Sequence, residues 1–160
     1  MCHSLTPNPF TCQFLDECMR KYDTYVFTAG MELYASPLLD VLDSQNRLKG
    51  RLYRQHCRHY RGYFLKDISV VPSDLSRTVL VDNNPISFGV QPSNGIPVPN
   101  FYSDASDNHL EEVMKTLDLL ADSEADVRPQ LDGIFGLTDR LRSWRVQLGL
   151  ESADGRSCKL

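Results

Sequence analysis

Strand-like and helix-like patterns alternate along this chain, and that alternation restricts its fold more than any other feature. Residues 24–27 and 78–81 are rich in β-branched and aromatic side chains and predict buried strands. Apolar residues at helical spacing predict amphipathic helices over 11–22, 31–42, 110–120 and 137–148. Weaker patterns predict strands over 48–54 and 95–101, and a turn followed by a short strand over 60–65. Alternation of this kind predicts an α/β fold with a mainly parallel sheet flanked by helices.

Length and composition bound the classes of protein to which the chain can belong. At 160 residues it has the size of one domain, and 41% hydrophobic and 24% charged residues are typical of a globular protein. The net charge of −4 argues against direct nucleic-acid binding, which needs a basic field. We predict no membrane segment, because no apolar run reaches the roughly 18–20 residues of a span. Five scattered cysteines without a Cys-x-x-Cys pair favour a reducing compartment.

Polar side chains follow the two clearest predicted strands at the points where they end. Thr28 follows the first of them, and Asp82 and Asn83 follow the second. Ligands of open parallel sheets bind beyond the carboxyl ends of the strands, so these side chains are expected to meet at one crevice. The structural alternative is that Thr28 caps the next helix, as Thr11 and Thr138 are predicted to do, while Asp82-Asn83 forms a turn before Pro85.

The order of short motifs along the chain resembles that of one family. The motifs are Val-Phe-Thr-Ala-Gly at 26–30, Tyr-Ala-Ser-Pro at 34–37, Leu-Tyr-Arg at 52–54, Lys-Asp-Ile-Ser at 66–69, Val-Asp-Asn-Asn-Pro at 81–85 and Asp-Val-Arg-Pro at 126–129. This order resembles that of the Fcp/Scp-type phosphatases of the RNA polymerase II C-terminal domain, which belong to the haloacid dehalogenase superfamily. The resemblance implies a Rossmann-like (HAD-like) domain over about 10–131, followed by a C-terminal helix within 132–150 and a loose tail over 151–160.

The resemblance also implies a chemistry and a role for each matching residue. The family hydrolyses phosphoserine or phosphothreonine in a protein or peptide with Mg²⁺, through an aspartyl-phosphate formed by the first Asp of an Asp-x-Asp motif. Thr28 would hydrogen-bond a phosphoryl oxygen, and Lys66 would stabilise the phosphate charge. Arg54 would lie near the substrate phosphate. Asn83 would bind Mg²⁺ through its side-chain oxygen, and Asp82 would hold Lys66 or the metal's ligands in place.

The chain departs from the family pattern at its most important motif. No two of its aspartates lie two positions apart, so Asp-x-Asp is absent from these 160 residues. The family's central first strand should precede the predicted helix over 11–22. Only ten residues precede that helix here, and none of the predicted elements corresponds to this strand. A milder change is Arg-Gln-His-Cys at 54–57 in place of Arg-Glu-Ser-Cys. We therefore expect these residues alone not to hydrolyse phosphate esters.

Three interpretations stay open. The chain is a truncated product of a phosphatase gene, a catalytically inactive binding module such as the mitochondrial inner-membrane translocase receptor, or an unrelated α/β protein. Retention of Thr28, Lys66 and Asp82-Asn83 favours the first, because an inactive domain has no physical need for them. The compartment stays open between nucleus or cytoplasm, which the family favours, mitochondrion, and peroxisome, whose Ser-Lys-Leu signal Cys158-Lys159-Leu160 resembles.

Overall fold

The computed structural model describes residues 9–102 and 107–156. The helices within them are α1 (Pro9–Lys21), α2 (Glu32–Leu42), α3 (His109–Ala121), α4 (Val127–Phe135) and α5 (Leu137–Leu148). The strands are β1 (Tyr25–Phe27), β2 (Gly50–Leu52), β3 (Arg58–Tyr60), β4 (Tyr63–Leu65), β5 (Leu80–Asp82) and β6 (Gly95–Pro97). No helix in the described part of the chain has the length and apolar character needed to span a bilayer.

The strands form three two-stranded sheets. β1 pairs with β2 in parallel, with Val26 opposite Arg51, and β5 pairs with β6 in parallel. β3 and β4 form an antiparallel hairpin. Small parallel sheets flanked by helices confirm the predicted α/β class. Among residues 9–102 and 107–156, β1 and β5 each have one strand partner, and their other edges lie on either side of a groove.

The β5–β6 sheet is covered on both faces. One cluster packs Leu80 of β5 against α5, and its buried members are Ile68, Leu80, Phe88, Leu137 and Leu141. The other packs Ile96 of β6 against α3 and α4, and its buried members are Ile96, Val113, Leu120, Val127 and Leu131. Neighbouring strand residues point to opposite faces, so one short parallel pair supplies both clusters.

The two predicted threonine caps are wrong. α1 begins at Pro9, so Thr11 lies inside the helix. α5 begins at Leu137. Gly136, with a left-handed φ of 59°, is both the last cap of α4 and the first cap of α5. The backbone N–H of Thr138 donates to the carboxylate of Asp132 instead.

Two elements, α4 and β3, were not predicted from the sequence patterns. α4 contains Pro129 and Gly133, which weaken a helical pattern, yet Asp126 caps it by accepting a hydrogen bond from the Arg128 N–H at 2.9 Å. β3 was not predicted as a strand before the turn at residues 61–62. Arg61 and Gly62 have φ of 49° and 86°, the positive values of a tight hairpin turn.

The described end of the chain is partly ordered. In the predicted tail, the Ser152 N–H donates to the Arg156 carbonyl at 2.8 Å and closes a turn. At the start of the tail, buried Glu151 accepts a hydrogen bond from Arg145 of α5 at 3.0 Å. The Cys158-Lys159-Leu160 signal lies outside the described residues.

Candidate functional site

Lys66 lies across the carboxyl ends of β1 and β5. It follows β4, and its Nζ is 2.5 Å from Oδ2 of Asp82, the last residue of β5. The same Nζ is 5.9 Å from the ring centre of Phe27, the last residue of β1. The two charged side chains are 13% and 5% exposed, so water screens this ion pair weakly. The pair therefore joins two strand ends that are far apart in the sequence.

Thr28 stands at the first of these strand ends. Its N–H donates to the Leu52 carbonyl at 2.8 Å, which fixes the residue to β2. Its Oγ1 accepts a hydrogen bond from the Gly30 N–H at 3.0 Å. Because the hydroxyl oxygen accepts from Gly30, the hydroxyl hydrogen can be donated to an anion.

Arg54 fixes the loop that follows Thr28. Its backbone N–H donates to the Gly30 carbonyl at 3.0 Å, and its Nε donates to the Ala29 carbonyl at 2.7 Å. The guanidinium carbon lies 5.0 Å from the ring centre of Phe64, a cation–π contact. Arg54 is exposed, so its charge is accessible to an anionic substrate beside the loop.

Cys57 lies close to Thr28, Lys66 and Arg54, although the sequence did not predict it as a site residue. Its Sγ donates to the Thr28 carbonyl at 3.9 Å. Burial raises the pKa of the thiol, while the positive charges of Lys66 and Arg54 oppose that rise. Cys57 is therefore a protonated thiol at neutral pH that supports the Thr28 backbone. Its only sequence signal was its place in the 54–57 motif.

Asp82 and Asn83 differ in what they offer a metal ion. Asp82 accepts from Lys66 with one oxygen and from the Asn84 N–H at 2.7 Å with the other. Asn83 donates its amide nitrogen to Oδ1 of Asn100 at 2.6 Å, so its side-chain oxygen is the atom that suits a metal. This side chain contacts Asn100 rather than Lys66, and it borders a cavity of about 450 Å³ beside Phe14.

These donors suit Mg²⁺ in kind but not in number. Mg²⁺ prefers oxygen ligands, which a carboxylate and an amide provide, and it keeps several waters while binding substrate phosphate. Among residues 9–102 and 107–156, no three His, Cys, Asp or Glu side chains lie close enough together to hold a metal ion. The side-chain oxygen of Asn83 is thus of the kind that Mg²⁺ binds, whereas both oxygens of Asp82 already accept hydrogen bonds from Lys66 and Asn84.

Comparison with known proteins finds relatives of this chain among phosphatases. The model of the NLI interacting factor-like phosphatases matches residues 3–128. CTD nuclear envelope phosphatase 1 of Xenopus tropicalis is 44% identical over 119 residues, which are 74% of this chain and 48% of that protein. CTD small phosphatase-like protein 2 of Dictyostelium discoideum is 40% identical over 129 residues, 81% of this chain and 23% of that protein.

The chain spans less than half of the length of each of these relatives. Within that span the match covers both strand ends, the loop after Thr28 and the Lys66–Asp82 pair. The resemblance seen in the order of the motifs is thereby confirmed, and the chain belongs to the NLI interacting factor-like phosphatase family, the Fcp/Scp-type branch of the haloacid dehalogenase superfamily.

Proposed function

We propose that these 160 residues form the phosphate-binding part of a Mg²⁺-dependent protein serine/threonine phosphatase. The observation that carries the proposal is the position of Lys66, in contact with Asp82 and close to Phe27, at the joined carboxyl ends of two parallel sheets. Ligands of α/β proteins bind at such ends. The two relatives named above are called a phosphatase and a phosphatase-like protein, and these names support a phosphorylated protein as the substrate class.

In this proposal the described residues bind and orient the phosphoryl group. The Lys66 ammonium neutralises phosphoryl oxygens, and Asp82 holds it in place. The Thr28 hydroxyl donates a hydrogen bond to one of those oxygens. Arg54 holds the Thr28–Gly30 loop and adds positive charge on the substrate side. Asn83 would hold Mg²⁺, which when bound neutralises phosphate charge and orients the ester.

The same residues do not complete a catalytic cycle in this proposal. Family chemistry needs one carboxylate as nucleophile and a second as general acid and base, and these 160 residues contain no Asp-x-Asp. Loss of a covalent nucleophile removes orders of magnitude in rate. We therefore expect phosphate binding without turnover from the chain as given.

Binding of inorganic phosphate in the presence of Mg²⁺, followed by ³¹P NMR titration, tests the proposal. We expect Lys66→Ala to weaken binding about tenfold or more, since a charge-assisted hydrogen bond of roughly 1.5–3 kcal/mol is lost. Lys115→Ala is the matched control, because it removes the same charge from the exposed face of α3.

Two outcomes would contradict the proposal. One is phosphate binding that Lys66→Ala leaves unchanged. The other is hydrolysis of p-nitrophenyl phosphate that survives both Thr28→Ala and Lys66→Ala. The inactive binding module needs no phosphate site, so the same titration separates the two interpretations.

A further inference from the structure

The β3–β4 hairpin has two different faces. Leu65 of β4 is completely buried, and the ring of Tyr63 packs edge-on against α5. Neighbouring strand residues point to opposite faces, so Phe64 and, just beyond the strand, Lys66 lie on the other side of the hairpin. His59 of β3 is the cross-strand partner of Phe64, and such partners share a face. We call the face that carries His59, Phe64 and Lys66 the outer face of the hairpin.

The ring of Phe64 supports two polar groups on this outer face. The imidazole of His59 stacks on it, with the ring centres 5.0 Å apart and the planes at 30°. The guanidinium carbon of Arg54 lies 5.0 Å from the centre of the same ring, where the aromatic face attracts a cation. His59 and Arg54 are both exposed, whereas Phe64 is half-buried. One partly buried ring thus holds two groups that are accessible to solvent.

Both groups can still donate hydrogen bonds. Arg54 uses Nε to bind the Ala29 carbonyl, which leaves the two terminal nitrogens of its guanidinium. Within residues 9–102 and 107–156, these two nitrogens have no hydrogen-bond partner, Arg54 forms no ion pair, and the imidazole of His59 has no hydrogen-bond partner. A guanidinium with free terminal nitrogens matches a carboxylate or a phosphate. The pair is therefore suited to an anionic group.

The spacing of the outer face relates this pair to the proposed phosphate site. Lys66 and Phe64 are two residues apart, and an extended strand rises roughly 3.3 Å per residue, so successive positions on one face are about 7 Å apart. An extended peptide places its own residues i and i+2 at the same separation. When the phosphoryl group of such a peptide is at Lys66, a side chain two positions away reaches the ring of Phe64.

We propose that the outer face of the hairpin recognises an acidic residue of the substrate, two positions away from the phosphorylated residue. Arg54 and His59 bind its carboxylate, and Phe64 holds both of them. The inference rests on the proposed function, because the phosphoryl group at Lys66 sets the register of the peptide. Exposed ion pairs contribute little free energy, so this face selects among phosphopeptides and does not bind a peptide by itself.

The probes are fluorescent peptides of glycine and alanine with one phosphoserine and one aspartate, which stands two positions before or two positions after it. Each has a counterpart with asparagine in place of aspartate. In fluorescence anisotropy with Mg²⁺, we expect one of the two aspartate peptides to bind about two- to fivefold more tightly than its counterpart. This advantage should decrease as the salt concentration rises.

The position of the acid tests the register. Aspartate directly next to the phosphoserine should give a smaller advantage, because neighbouring side chains of an extended peptide point in opposite directions. Equal affinities of the aspartate and asparagine peptides at both two-residue positions would overturn the proposal. So would an equal advantage at every position, because general attraction to a positive surface explains that result.

Two histidine variants provide the matched comparison. His59→Gln should remove most of the advantage of aspartate over asparagine. His109→Gln should preserve it, because His109 is at the start of α3, away from the hairpin, and its side chain is 40% exposed. Phe64→Leu should act like His59→Gln, since it keeps an apolar side chain but removes the ring. Equal effects of the two histidine variants, or an advantage that survives both hairpin variants, would contradict the proposal.

Unphosphorylated peptides and Lys66→Ala separate this proposal from the proposed function. If phosphorylation does not strengthen peptide binding, or Lys66→Ala leaves that effect unchanged, the proposed function fails and the acidic site fails with it. If phosphorylation strengthens binding through Lys66 but aspartate and asparagine peptides bind equally, only the acidic site fails and the phosphate site stands.

Discussion

At the scale of single residues, the placement of Thr28 depends on a glycine two positions later. A Cβ added at Gly30 would lie 3.2 Å from Thr28 Oγ1, closer than most contacts of real Cβ atoms. The carbonyl of the same glycine accepts a hydrogen bond from the Arg54 N–H, and its own N–H donates to Thr28 Oγ1. Gly30 thus leaves room for the hydroxyl that we assign to phosphate binding.

Gly30→Ala should therefore weaken phosphate binding about two- to tenfold, the worth of one displaced hydrogen bond of roughly 0.5–1.5 kcal/mol. The ³¹P titration used for Lys66 measures it. Gly133→Ala in α4 is the control, because a Cβ there meets no atom within 4 Å. That substitution should leave binding unchanged and stabilise the helix by about 0.5–1 kcal/mol. Unchanged binding in Gly30→Ala would remove Thr28 from the proposed site.

Residues at strand ends were the part of the site that sequence could place. Thr28 and Asp82 follow β-branched runs, and the carboxyl ends of parallel strands converge by geometry. Cys57 gave no such signal, since its contact with the Thr28 carbonyl depends on how two loops fold back together. Asn83 is next to Asp82 in sequence, yet its bond to Asn100 could not be inferred from spacing.

At the scale of elements, the β3–β4 hairpin is tied to the rest of the molecule by Asp67, the residue after Lys66. Asp67 accepts from Ser69 Oγ at 2.6 Å and from Gln91 at 2.7 Å, and it pairs with Arg58 of β3 at 3.0 Å. Burial alone would raise the pKa of this carboxyl, but those hydrogen bonds and the Arg58 charge together hold it below the usual value. Asp67 thereby fixes the end of β4 from which Lys66 projects.

This depressed pKa predicts a direction for the pH dependence of stability. The contribution of Asp67 is fully present above the unfolded pKa of about 3.9 and is lost as pH falls through the lower folded value. Asp67→Asn should lower the free energy of unfolding by about 1–3 kcal/mol at pH 7. Below pH 4, the free energy of unfolding of this variant should fall less steeply with pH than that of the unchanged chain. Urea denaturation at several pH values measures both.

Asp154→Asn is the comparison for that experiment. Asp154 pairs with Arg156 on the exposed tail, where their side chains are 51% and 84% exposed, so its removal should leave the free energy of unfolding nearly unchanged. Equal effects of the two substitutions would mean that Asp67 does not tie the hairpin to the fold.

The elements themselves were predicted with uneven success, for physical reasons. α1, α2, α3 and α5 carry long apolar periodicities and were recovered within a few residues. α4 was not, because its stability comes from the Asp126 cap and from burial of Val127 and Leu131 rather than from propensity. Strands of three residues are too short for their pattern to set their ends.

At the scale of the whole molecule, the α/β class follows from the alternation of elements, whereas the division into three small sheets does not. Pairing of β1 with β2 and of β5 with β6 brings together residues separated by a helix or a long loop. Local sequence patterns do not show which edge of each strand stays unpaired and faces a groove.

The groove between β1 and β5 therefore leads to a prediction about folding. Exposed strand edges associate with other chains. The net stability of a typical domain is only about 5–15 kcal/mol, so the free energy lost at two unpaired edges can remove much of it. We expect the 160-residue chain alone to associate with increasing concentration and to unfold broadly, with weak near-ultraviolet circular dichroism. Leu117→Lys, which charges the groove, should reduce association more than Leu119→Lys on the exposed side of α3. A monomer that unfolds in one sharp transition at all concentrations, measured by light scattering and calorimetry, would show that β1 and β5 close against each other without a third strand.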